Sequence, residues 1–144
     1  MASSSTIPEV PLTFSSKKTI PVVGFGTAEY PFGASARCMK EAILDAIRTG
    51  YRHFDTSAVY QSEQYLGQGV KEALSLGLIK SRDVLFITSK LWCSEVHRDC
   101  VLPALQKTLK NFYDRASNGQ VLVRWLQDVR ATLLSTSGVE HHSL

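Results

Sequence analysis

Asp55, Tyr60 and Lys90 are the residues of this chain whose types and spacing could carry chemistry. Asp55 closes a short, aromatic-rich run (51–55) that suits a strand, and Tyr60 sits in the loop beyond it. Lys90 closes the next apolar run. In a parallel α/β protein the C-terminal strand ends are where chemistry is assembled. A free phenol loses its proton near pH ~10, and a neighbouring ammonium favours the charged form. A carboxylate beside the ammonium holds it charged. The three together would make a proton donor with its electrostatic support. By type alone the plainer alternative stays open: a lone tyrosine after a strand is commonly packing, and a lone Asp–Lys pair is commonly structural.

The elements that must position them follow from the pattern. Residues 50–67 read as a strand, a turn and a helix start. Gly50 precedes the strand as a turn residue, and Ser62 is placed to cap the helix. Leu66, Val70, Ala73 and Leu74 form its apolar stripe at i, i+4, i+7 and i+8. Gly77 supplies a left-handed residue at its stop. Upstream, 11–14 and 19–23 are extended runs around the polar residues 15–18, which reads as a β-hairpin. Residues 22–25 lead into a first parallel strand that ends at Gly26 and Thr27. Ser35 caps a first helix whose stripe is Met39, Ala42, Ile43, Ala46 and Ile47, and Gly50 ends it. Residues 83–89 carry the next strand, where Val84, Leu85, Phe86 and Ile87 are continuously apolar, as in a sheet covered on both faces. A third helix begins near Ser94 or a little later, and Pro103 is tolerable only near its first turn. Val101, Leu105, Thr108 and Phe112 share one side of it, with Leu102 and Leu109 adjacent. The strand–helix order gives two crossovers, which should be right-handed.

Residues 50–67 resemble the first signature of the aldo-keto reductases, with every defining position filled. Residues 86–92 and 24–28 resemble two further motifs of that family, in its order and spacing. The chain is similar to plant-type reductases of the chalcone and codeinone reductase kind, from about residue 19 to residue 111. The resemblance implies a (β/α)8 barrel whose bottom is plugged by the hairpin. It implies NADPH-dependent reduction of an aldehyde or ketone to an alcohol, with Tyr60 as proton donor supported by Lys90 and Asp55. Gly26, Thr27 and Asp55 would stand on the cofactor side, Thr27 donating a hydrogen bond to a cofactor oxygen. Ala28 and Trp92 would belong to the substrate wall, although Trp92 also reads as a core-edge aromatic. Gly24-x-Gly26 is not a Rossmann fingerprint, because no GxGxxG opens a helix there.

Length bounds the fold. A complete barrel needs roughly 250 residues, and the chain has 144. The expected architecture is therefore α/β, an incomplete barrel of about three strand–helix units plus a late helix. A net charge of +3, with the basic residues scattered, argues against nucleic-acid binding. No apolar run reaches the ~18 residues of a membrane span. The serine-rich start lacks the arginines of a transit peptide and soon meets Glu9. A cytoplasmic protein is expected, acting on a small-molecule carbonyl substrate, with a disordered tip at 1–9. The three cysteines form no even set and, with His97, no usual zinc pattern, so they read as reduced thiols.

After residue 111 the family pattern breaks. The resemblance calls for a fourth strand ending in a histidine that orients the carbonyl. Residues 112–119 instead read as a junction. Residues 120–129 read as a helix with Leu122, Trp125, Leu126 and Val129 on one face, similar to a helix found much later in the family. Residues 131–136 stand in the place of the following strand. No basic phosphate-reading loop is recognisable, and 137–144 reads as a disordered tail. The four histidines, His53, His97, His141 and His142, all stand outside the expected context. The order, early pattern then late pattern, indicates an internal deletion by splicing or a gene-model error. The alternative to an active reductase is a catalytically dead remnant that lacks the histidine and most of the cofactor site. Such a remnant would leave open sheet edges, through which it could self-associate.

Overall fold

The computed structural model describes residues 7–12, 15–31, 36–112 and 124–125. Strands β1 (Glu9–Leu12) and β2 (Ser15–Pro21) form the antiparallel hairpin, with Val10 opposite Ile20. Residues 15–18 belong to β2 rather than to the turn, and Glu9 belongs to β1 rather than to a tip. The Val22 amide donates to the Pro8 carbonyl at 2.9 Å and extends the pairing.

A second, parallel sheet follows, in the order β3 (Phe25–Gly26), β4 (His53–Asp55), β5 (Phe86–Ser89) and β6 (Arg124–Trp125). Helices α1 (Ala36–Arg48) and α2 (Glu63–Ser75) make the two crossovers, and α3 (Arg98–Phe112) follows β5. This is the expected strand–helix alternation of an incomplete barrel. One reading is corrected: Arg124 and Trp125 form a strand beside Thr88 and Ser89, where a helix over 120–129 was expected. The sheet thus continues past β5. The rest of that helix, the Ser35 cap, the disordered tail and most of the junction lie outside the described residues. Phe112, read as junction, is the buried last residue of α3.

The helices end as their glycines dictate. Gly50 has φ +102°; its amide reaches the Ile47 carbonyl, and Tyr51 reaches Ala46. Gly77 has φ +69°, with the same pair of bonds from Gly77 to Leu74 and from Leu78 to Ala73. Both are Schellman stops, which satisfy carbonyls the helix leaves open.

The core lies between one sheet face and the helices. Ile43, Leu44 and Ile47 of α1 meet Leu66, Val70 and Ala73 of α2, over Phe54, Ile87 and Phe112. Register puts Phe25, Phe54 and Ile87 side by side on that face. By the two-residue period of a strand, His53, Asp55, Phe86 and Thr88 belong to the opposite face. Ala42, Val101 and Leu102 were assigned to apolar stripes but are exposed. Leu44 and Ala104 take their places inside. Val84 is exposed too, because residues 82–84 form a 3-10 turn before the strand begins. Pro103 falls in the second turn of α3, one turn later than expected, with its ring in solvent.

Candidate active site

Strand register brings Gly26, Asp55 and Thr88 abreast at the C-terminal end of the sheet. Lys90 is two residues beyond Thr88 and so points to the same face. The chain leaves β4 through Thr56 and Ser57 and makes a 3-10 turn at Ala58–Tyr60. The Tyr60 amide donates to the Ser57 carbonyl at 3.0 Å. Gln61 takes a left-handed conformation, φ 57°, and turns the chain into α2. That reversal presents Tyr60 back toward Lys90.

The three expected residues do come together. Lys90 Nζ donates to Asp55 Oδ1 in a short charged contact, and to the Thr56 carbonyl at 3.2 Å. It also stands 3.5 Å from Tyr60 Oη, at the outer limit of a hydrogen bond, and 5.1 Å from the centre of the Tyr60 ring. The ammonium therefore faces a carboxylate, a carbonyl and a phenol at once. It remains partly open to solvent, with the Lys90 side chain 28% and the Asp55 side chain 39% exposed.

Thr27 is turned inward. Its side chain is wholly buried. Thr27 Oγ1 is 2.8 Å from Ser62 Oγ and 3.3 Å from the Asp55 carbonyl, and its amide donates to that same carbonyl. The hydroxyl is hydrogen-bonded inside the protein. Ser62 is a correction. It is the residue before α2, but its hydroxyl makes no cap; it bonds Thr27 and Thr56 instead. Gly26 and Ala28 are exposed. A Cβ at Gly26 would meet nothing within 4 Å, so the strand end there is open. Trp92 is 45% exposed, two residues past Lys90.

Sequence reasoning missed Glu63. Its side chain is buried and accepts from Ser89 Oγ at 2.6 Å, Thr108 Oγ1 at 3.1 Å and Asn111 Nδ2 at 3.0 Å. The signal was present: Glu63 shares the α2 stripe with Leu66 and Val70, at i, i+3 and i+7. A carboxylate on an apolar stripe needs donors waiting for it.

Two histidines fall among the described residues. His53 Nδ1 is 3.3 Å from the Pro21 carbonyl and Nε2 is 3.2 Å from Thr88 Oγ1, so His53 fastens the hairpin to the sheet. His97 is exposed, and its carbonyl accepts from the Cys100 and Val101 amides of α3. Cys38, Cys93 and Cys100 are free and exposed. Among the described residues no helix is long and apolar enough to cross a membrane.

Comparison with known proteins gives one consistent result. The model of the aldo/keto reductase family matches residues 22–127. The chain is 58% identical over 106 residues to a (1S)-1,7-diacetoxy-luvungin A aldo-keto reductase of Citrus sinensis, covering 74% of this chain and 32% of that protein. It is 59% identical over 100 residues to an NADPH-dependent codeinone reductase of Papaver somniferum, covering 69% of this chain and 31% of that one. A crystal structure of a Bombyx mori aldo-keto reductase in complex with NADP superposes with a TM-score of 0.67 at 42% identity, covering 74% of this chain and 34% of that one. The chain thus spans about a third of the length of the relatives it matches.

Proposed function

The chain belongs to the aldo/keto reductase family, and from that premise we propose that its site serves reduction of a carbonyl to an alcohol, with NADPH as reductant and Tyr60 as proton donor. The observation that carries this reading is the contact of Lys90 Nζ with Asp55, Thr56 and Tyr60 at adjacent strand ends. NADPH rather than NADH is favoured by the relatives, which include NADPH-dependent enzymes and an NADP complex.

The residues present fit the nicotinamide end of such a cofactor. Gly26 is an exposed strand end with open space beside it, next to Asp55 in register. When bound, the nicotinamide supplies a hydride to the carbonyl carbon. Tyr60 gives its hydroxyl proton to the carbonyl oxygen as charge develops there. The Lys90 ammonium stabilises the negative charge left on the phenol oxygen. Asp55 and the Thr56 carbonyl keep that ammonium aimed. Ala28 and Trp92, both exposed, form the substrate-side surface in this reading. Residues that would read the 2′-phosphate are not among those described.

A second reading is a non-catalytic remnant with an internal deletion, associating through a sheet edge. It is favoured by the chain's span of about a third of the length of the relatives it matches. One experiment separates the two. NADPH is titrated into the purified 144-residue chain by fluorescence, and an aldehyde assay is run with Tyr60→Phe and Lys90→Met. Saturable binding, with turnover lowered about 10²- to 10⁴-fold in both variants, is the expected result for a working proton donor. A folded, soluble chain that neither binds nor turns over, and that sediments as a dimer, would favour the remnant.

A further inference from the structure

We infer that Glu63 is a positioning residue that sets the approach of Lys90 to Tyr60; this rests on the proposed reductase reading for its functional meaning. Two of the segments that make the site, 60–63 and 89–90, are joined twice. At one end Lys90 Nζ meets Tyr60 Oη at 3.5 Å. At the other, Ser89 Oγ donates to Glu63 Oε1 at 2.6 Å. Ser89 is covalently next to Lys90, and Glu63 is three residues from Tyr60, across the single left-handed residue Gln61. The Glu63–Ser89 bond therefore ties the two segments together, beside the bonds of Lys90 to Asp55 and Thr56 and that of Ser57 Oγ to the Lys90 carbonyl at 3.4 Å.

Glu63 is suited to that task and to little else. It is 3% exposed, so it makes no contact with substrate. Its donors are neutral and come from two other elements: Ser89 from β5, Thr108 and Asn111 from α3. Placing a carboxylate in a buried position is unfavourable unless it is fully hydrogen-bonded. Here its place in the first turn of α2 adds the favourable field of a helix N-terminus. The preceding residue, Ser62, completes the bracket by bonding Thr27 after β3 and Thr56 after β4. Adjacent residues at one helix start thus pin the ends of three strands. A glutamine would lose one accepting oxygen and turn an N–H group toward donors. An alanine at position 89 would remove only the link to Lys90.

The test reads geometry directly. Lys90 Nζ lies near the Tyr60 ring face, so the ring current displaces the Lys90 ε-methylene signal upfield in a spectrum of 13C-lysine-labelled chain. The signal is assigned by its loss in Lys90→Arg, and its displacement by its loss in Tyr60→Leu. Glu63→Gln and Ser89→Ala are each expected to remove most of the displacement, while the methyl signals of Ile43, Leu66 and Val70 hold their positions. Retention of the displaced signal in both variants would overturn the inference. So would movement of Lys90 and the core methyls together in both, which is the mark of a merely structural residue. The readout needs no cofactor. A chain that fails to bind NADPH yet shows this dependence would sink the reductase reading and leave the Glu63 geometry standing.

Discussion

Lys90 lies beside Tyr60 with its ammonium 3.5 Å from the hydroxyl and 5.1 Å from the ring centre. One cation is thereby shared between a phenol and the Asp55 carboxylate. The arrangement follows from register: Asp55 ends β4, Lys90 follows β5, and the two strands are direct neighbours.

Asp55→Asn tests what the carboxylate does for that cation. The pair is a third exposed, so its worth to stability is small, about 1 kcal/mol or less. Turnover is expected to fall far more, on the order of 10²-fold, because Lys90 loses the group that aims it. Denaturant midpoints and aldehyde reduction rates, measured side by side, separate the two effects. Equal proportionate losses would mean the pair is only structural.

Thr27→Val removes a hydroxyl while keeping shape. The structure uses that hydroxyl inward, on Ser62 and the Asp55 carbonyl. The substitution is expected to cost about 1 kcal/mol of stability and to leave NADPH affinity where it was. Ser62 keeps Thr56 as a partner, which limits the loss. Weaker NADPH binding at unchanged stability would show that the hydroxyl serves the cofactor after all.

The two cases show how far the sequence could be read. Asp55, Tyr60 and Lys90 were legible because each stands at a strand end or in the loop beyond it, and strand ends are marked by short apolar runs bounded by turn residues. Gly50 and Gly77 were legible because only a left-handed stop needs glycine there. Ser62 was misread. A hydroxyl's partner is set by tertiary contact, and local spacing offered a cap instead. Glu63 was overlooked because charge was taken as exposure, although its donors Thr108 and Asn111 sit 45 and 48 residues away. Arg124 and Trp125 were read as helix from a 3.6-residue apolar pattern. Pairing beside Thr88 and Ser89 overrides that preference.

Gly50→Ala and Gly77→Ala should differ although both glycines stop helices. Neither Cβ would meet an atom within 4 Å, so the whole cost is backbone strain. At φ +69° an alanine reaches the left-handed basin for about 1 kcal/mol. At φ +102° it lies outside that basin, and the cost rises toward about 3 kcal/mol. Thermal unfolding of the two variants gives the order directly. Gly77→Asn should recover most of the loss at its site, since asparagine tolerates the left-handed region.

Gly67 and Gly69 offer the same comparison for helix packing. Both lie in α2, where replacing glycine by alanine would by itself stabilise an isolated helix by about 1 kcal/mol. At Gly67 the new Cβ would stand 2.0 Å from the Asn111 carbonyl oxygen, a backbone atom that cannot turn aside. Helices α2 and α3 would have to part, and Asn111 would be carried away from Glu63. A net loss of about 2 kcal/mol or more is expected. At Gly69 the obstacle is Ile43 Cγ2 at 2.8 Å, a buried methyl on a stiff side chain that can shift slightly with α1. That variant should lose about 1 kcal/mol once the helix gain is set against the crowding. Urea unfolding of both would decide the matter. If Gly67→Ala were no worse than Gly69→Ala, the close approach of α2 to α3 would not exist in solution, and the donors that α3 extends to Glu63 would be lost with it.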